Sequence, residues 1–255
     1  MGERTSYPPG TFSWVDLQTS DQDAAKAFYS GLLGWEYEEV PIGDGATYSM
    51  AKVQGHSVAA IGPLQGEGRP SHWNCYVTVA DADASAARAK ELGATILAEP
   101  FDVFDAGRMA AFLDPQGAIL SLWQAKENIG AGLVNVPGAL TWNDLVSPDV
   151  EAAAPFYRDL FGWEIAEIPG AEGQYWSITN GGRMNGGMLP VLPGGHPAWN
   201  LYFAVEDADA ALARAGELGG GTVVGPMDVP NGSRFAVLRD PQDAVFSISA
   251  GPMDD

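Results

Sequence analysis

Hydrophobic and polar positions change period in a fixed order along the chain. In "TFSWVDLQ" they alternate, which predicts a half-buried strand with Trp14, Asp16 and Gln18 on one face. The next residues, "SDQDAAKAFYSGLLG", switch to helical spacing. Ala25, Phe28, Tyr29 and Leu32 share a face, Ser20 or Asp21 can cap the first amides, and Gly34 can end the helix. Three short strands are expected to follow, in "WEYEEV", "TYSMAKV" and "SVAAIG". The order then restarts with strand "HWNCYVTV", a helix in "ADASAARAKELG" closed by Gly93, and strands in "ATILAEP", "GRMAAFL" and "AILSLW".

This double unit itself returns. Trp142, Asp144, the Phe156-Tyr157 pair and Gly162-Trp163 each follow Trp14, Asp16, Phe28-Tyr29 and Gly34-Trp35 by 128 positions. Trp199, Asn200, Arg234 and Ser247 follow Trp73, Asn74, Arg108 and Ser121 by 126. Four copies of one βαβββ module are therefore expected, in an α+β chain of two domains at residues 10–124 and 138–250, with a linker at 125–137. The strands leave open whether modules pair within a half or between halves.

Composition narrows the partners. With 13 Lys and Arg against 33 Asp and Glu, the formal charge is −20, which argues against nucleic acid or an anionic membrane as a partner. Cys75 is the only cysteine, so neither an intrachain disulfide nor a thiolate metal cluster can form. No window approaches a membrane span and "MGERTSYPPG" has no signal-peptide core, so a cytoplasmic location is the expectation. Eight Trp, 8 Tyr and 10 Phe fit an aromatic-lined cavity for a small-molecule ligand. The oligomeric expectation is a monomer with pseudo-twofold halves or a homodimer.

The motifs "D..AA.FY..L.GW", "V.DADA...A..LG" and "R....LDPQG" or "R..V.RDPQD", present in both halves, resemble the vicinal oxygen chelate superfamily, which includes glyoxalases, bleomycin-resistance proteins and dioxygenases. The resemblance spans nearly the whole chain and is closest to tandem actinobacterial glyoxalase-like or hydroxylase-like proteins. It implies that each domain curls a mixed sheet into a cup that holds the site. Metal-dependent members place His, Gln or Glu at four positions, which fall here on Trp14, about Ala59, Asn74 and Ser121, and on Trp142, about Gly186, Asn200 and Ser247. None is His or Glu, and indole, serine and asparagine make a poor divalent centre. This departure from the family pattern argues against a catalytic metal, and no cofactor is expected.

Asp16 and Asp144 are the candidate catalytic groups, with capping of nearby backbone or pairing with Arg108 and Arg234 as the structural alternative; Arg108 and Arg234 are also ligand-binding candidates, able to receive a carboxylate or phenolate. Asn74 and Tyr76, with Asn200 and Tyr202, would share the ligand-facing side of their strands. Tyr48 aligns with Trp176, Trp123 with Ser249 and Phe112 with Leu238, so the first half is expected to carry the better-formed aromatic cavity, with Asn74 orienting the ligand and Asp16 at its polar edge. Three readings follow: a metal-independent binder of an aromatic or largely apolar small molecule, a metal-independent enzyme using a pocket Asp, and a structural or protein-interaction platform. No "GxGxxG", "GxxxxGK[ST]" or "HExxH" motif adds another.

Overall fold

The structure, a computed structural model, describes residues 2–43, 45–66, 68–169, 174–192 and 194–252. The first half runs β1 (Phe12–Thr19), α1 (Gln22–Leu33), β2 (Glu36–Gly43), β3 (Ala46–Val53), β4 (His56–Pro63), β5 (His72–Thr78), α2 (Ala82–Glu91), β6 (Thr95–Val103), β7 (Gly107–Leu113) and β8 (Ile119–Ala125). The second runs β9 (Leu140–Ser147), α3 (Val150–Phe161), β10 (Glu164–Glu167), β11 (Trp176–Asn180), β12 (Arg183–Pro190), β13 (Ala198–Ala204), α4 (Ala208–Glu217), β14 (Gly221–Asp228), β15 (Arg234–Arg239) and β16 (Val245–Ala250).

Local chemistry sets the helix limits. Asp21, Asp81, Asp149 and Asp207 are the N-caps, each accepting the amide three residues on. Gly34 and Gly162 end α1 and α3 in the left-handed conformation at φ 72° and 73°, which an L side chain enters only with strain.

Each half forms one eight-stranded sheet, β2-β3-β4-β1-β5-β8-β7-β6 and β10-β11-β12-β9-β13-β16-β15-β14. Sheet pairing is therefore within halves. The two modules of a half join through the antiparallel β1–β5 or β9–β13 pair, and each module contains one parallel pair. The result is two tandem α+β domains, each a curled, cup-shaped mixed sheet with helices on its convex side.

The helices tie the halves together. α1 packs on α4 and α2 on α3, and the buried apolar residues of both convex faces form one continuous core. The repeated "FY" and "GW" pairs build this junction. Tyr29 stacks on Trp35, accepts from Trp73 Nε1 at 3.0 Å and donates to Asp240 Oδ2 at 3.1 Å across the junction. Reciprocally, Tyr157 stacks on Trp163, accepts from Trp199 Nε1 at 2.9 Å and donates to Asp114 Oδ2 at 2.6 Å. Trp35 Nε1 donates to Gly138 O at 2.6 Å and Trp163 Nε1 to Gly10 O at 2.7 Å. The "DPQ" aspartates also form their turns as expected, since each Oδ1 accepts two local amides.

Candidate functional site

Strand alternation, fixed by the buried convex core, leaves Trp14 and Asp16, and Trp142 and Asp144, on the concave faces. In the first cup, Asp16 Oδ2 accepts the Tyr48 hydroxyl at 2.8 Å and the Tyr76 hydroxyl at 3.0 Å, while Oδ1 accepts Asn74 Nδ2 at 2.8 Å. Trp14 Nε1 donates to Tyr48 Oη at 3.1 Å. Burial pushes Asp16 above the ordinary carboxylate pKa, opposed by hydrogen bonds from Asn74, Tyr48 and Tyr76. Tyr48 and Tyr76 are raised well above a free phenol, first by burial and then by Asp16, so they remain donors at neutral pH.

In the second cup, Asp144 Oδ1 accepts the Tyr175 hydroxyl at 2.7 Å and Trp142 Nε1 at 2.9 Å, and the same indole N–H lies 2.9 Å from Tyr175 Oη. Burial raises the Asp144 pKa, with Tyr175, Tyr202 and Trp142 opposing. Asn200 sits beside Asp144 in strand register, as Asn74 sits beside Asp16. Neither Asp16 nor Asp144 pairs with Lys or Arg among the described residues.

Several expected site residues lie elsewhere. Arg108 and Arg234 are on the convex side, where Arg108 binds Asp83 and Asp102, and Arg234 binds Asp209 and Asp228. They hold the last strands of a module to the start of its helix and do not meet the buried aspartates. Phe112 is fully buried in the convex core, 5.7 Å from Phe156, so it forms no cup wall.

Trp176 is likewise core, and Tyr175 takes its expected place. Leu17 pairs with Ile61 and Ile61 with Ser49, whereas Leu145 pairs with Met188 and Met188 with Trp176. Trp176 is therefore the counterpart of Ser49. Tyr175 follows Tyr48 by 127 positions, midway between the 128 and 126 spacings on either side, a signal that was present in the sequence. The cup-side positions of β4 and β12 are Ala60 and Gly187, in register with Asp16 and Asp144, one residue beyond Ala59 and Gly186. A Cβ on Gly187 would collide with Tyr175 Oη and Asp144 Oδ1, so the second cluster requires glycine there.

The structure thus gathers Trp14, Asp16, Tyr48, Asn74 and Tyr76 in one cup, with Ser121 and Trp123 on the same face. The other cup gathers Trp142, Asp144, Tyr175 and Tyr202, with Asn200 and Ser247 in adjoining register. Two surface depressions lie outside both cups. One of about 330 Å³ lies beside Ala84, Arg88, Leu160 and Phe161, and one of about 230 Å³ beside Val150 and Pro190.

The Glyoxalase/Bleomycin resistance protein/Dioxygenase superfamily description matches residues 11–122 and again 139–248. The chain belongs to this superfamily. It is 44% identical over 254 residues, 97% of each chain, to the putative glyoxylase CFP32 of Mycobacterium tuberculosis. It is 35% identical over 260 residues to the anthracycline biosynthesis protein DnrV of Streptomyces peucetius, covering 96% of this chain and 94% of the relative. Among solved superfamily structures, a Mn(II)-bound glyoxalase from Novosphingobium aromaticivorans superposes with a TM-score of 0.65 at 18% identity, covering 98% of this chain and 83% of that one.

That likeness overturns metal independence as an expectation, because the superfamily fold is shared with a Mn(II)-bound glyoxalase and with ring-cleaving dioxygenases. In this chain no group of three or more His, Cys, Asp or Glu is placed to hold a metal ion among the described residues. Trp14, Ala60, Asn74 and Ser121 do not form the donor set of a superfamily metal centre, nor do Trp142, Gly187, Asn200 and Ser247. No helix among the described residues is long and apolar enough to cross a membrane.

Proposed function

We propose that the chain binds a small organic molecule over the buried aspartate of a cup, and that this molecule is a ring system bearing hydroxyl or carbonyl oxygens. The observation that carries the reading is the carboxylate on each concave face, held by tyrosine hydroxyls beside a tryptophan and without a lysine or arginine partner among the described residues. The hydroxyls can turn to donate to or accept from a ligand oxygen, while the rings supply flat apolar contact. The anthracycline biosynthesis relatives support this ligand class, since anthracyclines are hydroxylated fused-ring compounds.

Equilibrium dialysis against 1,2-dihydroxyanthraquinone tests it. An Asp16→Asn/Asp144→Asn double variant is expected to lose at least tenfold in affinity while unfolding cooperatively. Unchanged affinity would remove the carboxylates from recognition.

A catalytic role for the same carboxylate is the second reading, favoured by the raised pKa that burial gives Asp144. If it holds, Asp144→Asn abolishes turnover of a bound substrate and leaves binding within a few-fold.

A further inference from the structure

The two cups share a frame but differ in what fills them. The linker threads the first cup where β1 and β4 splay apart: Ala131 N donates to Ser13 O at 2.7 Å and Gly132 N to Ser57 O at 2.8 Å. Tyr7 clamps it, donating its hydroxyl to Ala131 O at 2.6 Å. Trp123 Nε1 donates to Asn128 O at 2.8 Å, anchoring the linker's approach. Ala131 and Val134 thereby join Trp14, Ala60, Tyr76 and Trp123 in a buried apolar cluster, each below 9% exposed, with the partly exposed Tyr48, Met50 and Met109 packed against it.

The second cup has no such cluster among the described residues. Ser249 stands where Trp123 stands in the first half, and Trp142, Tyr175, Phe235 and Ser249 all keep partial solvent exposure. Phe235 flanks Tyr202 with ring centroids 5.9 Å apart. Ser247 is wholly buried in register with Tyr202, with its hydroxyl turned to the Tyr202 hydroxyl.

We infer that ligand binding is confined to the second half, and that the first cup is a structural plug filled by its own linker. The inference rests on the small-molecule reading and deepens it. The binding half is the one built on Trp142, Asp144, Tyr175 and Tyr202, and the ligand lays a flat face toward Phe235.

The test is the stoichiometry of 1,2-dihydroxyanthraquinone on the full chain by equilibrium dialysis, followed by variants of each cup. One probe per chain is expected, and two per chain overturns the plug. Ser249→Trp, which installs the first cup's indole, is expected to weaken binding at least tenfold. Phe235→Ala, which adds no bulk, is expected to weaken it at least threefold. Met109→Ala, in the first cup, is expected to leave affinity within twofold. Loss on Met109→Ala with parent affinity in both second-cup variants would transfer the site to the first half, sinking this inference while the ligand class stands. No binding by the parent would sink the ligand class, and the inference with it.

Discussion

Replacing Tyr157 by Phe removes one oxygen and two hydrogen bonds at the junction of the halves. The Tyr157 hydroxyl donates to Asp114 Oδ2 at 2.6 Å and accepts from Trp199 Nε1 at 2.9 Å, with all three residues buried. A hydrogen bond to a charged group contributes about 1.5–3 kcal/mol net, and leaving a buried N–H unpaired costs about 1–3 kcal/mol. The two terms share an atom and will not add fully, so the expected loss is about 3 kcal/mol. For a chain of this size that lowers the thermal midpoint by roughly 6 °C or more. Denaturant unfolding followed by tryptophan emission measures it, with an unchanged slope showing that the folded state is otherwise intact. Tyr29→Phe removes the equivalent but longer bonds of 3.1 Å and 3.0 Å and is expected to cost less. A Tyr157→Phe loss below about 0.5 kcal/mol, or the same loss in an Asp114→Ala background, would refute the reasoning.

Other outcomes follow from the cups and the surface. The Asp16 pKa is raised in the folded chain, so folded protein binds that proton more tightly than unfolded protein, and stability falls as pH rises from about 4 through the folded value. Asp16→Asn should therefore gain on the parent in unfolding free energy between pH 4 and 7; a constant difference across that window would contradict the buried-carboxylate account. Gly187→Ala must displace Tyr175 from Asp144, which should alter the emission of Trp142, and an unchanged spectrum with unchanged stability would show that the cluster is not packed as described. Arg108→Ala should leave both probe binding and the unfolding midpoint close to the parent, because its carboxylate partners are exposed on the convex side; loss of binding would return Arg108 to the site.

The repeat made the fold and half of the site legible. Helix caps at Asp21 and Asp149, ends at Gly34 and Gly162, and the alternation placing Asp16 and Asp144 on the concave faces all follow from local chemistry. Three misplacements have physical causes. Tyr175 was hidden by a one-residue step in spacing between β9 and β13, invisible until the ladder from Leu145 through Met188 to Trp176 is followed. Arg108 and Arg234 are one residue from cup-facing Met109 and Phe235, and only pairing to the buried strands decides which side each takes. The linker's role in filling the first cup has no periodic signature at all, because Ala131 and Val134 are buried by tertiary contacts of an irregular segment.

The exchange of Tyr29 with Asp240 and of Tyr157 with Asp114 also bears on how the chain is free to diverge. Each partner of these bonds belongs to a different copy of the duplicated gene segment, so a change in one copy's turn is answered only by a change in the other copy's helix. Apart from the linker packed into the first cup, a concave face answers to nothing outside its own half. One copy can thus abandon or acquire a ligand without disturbing its twin, and recombination that swaps whole halves between relatives should yield folded chimaeras only when the helix and turn of each junction are inherited as a matched set.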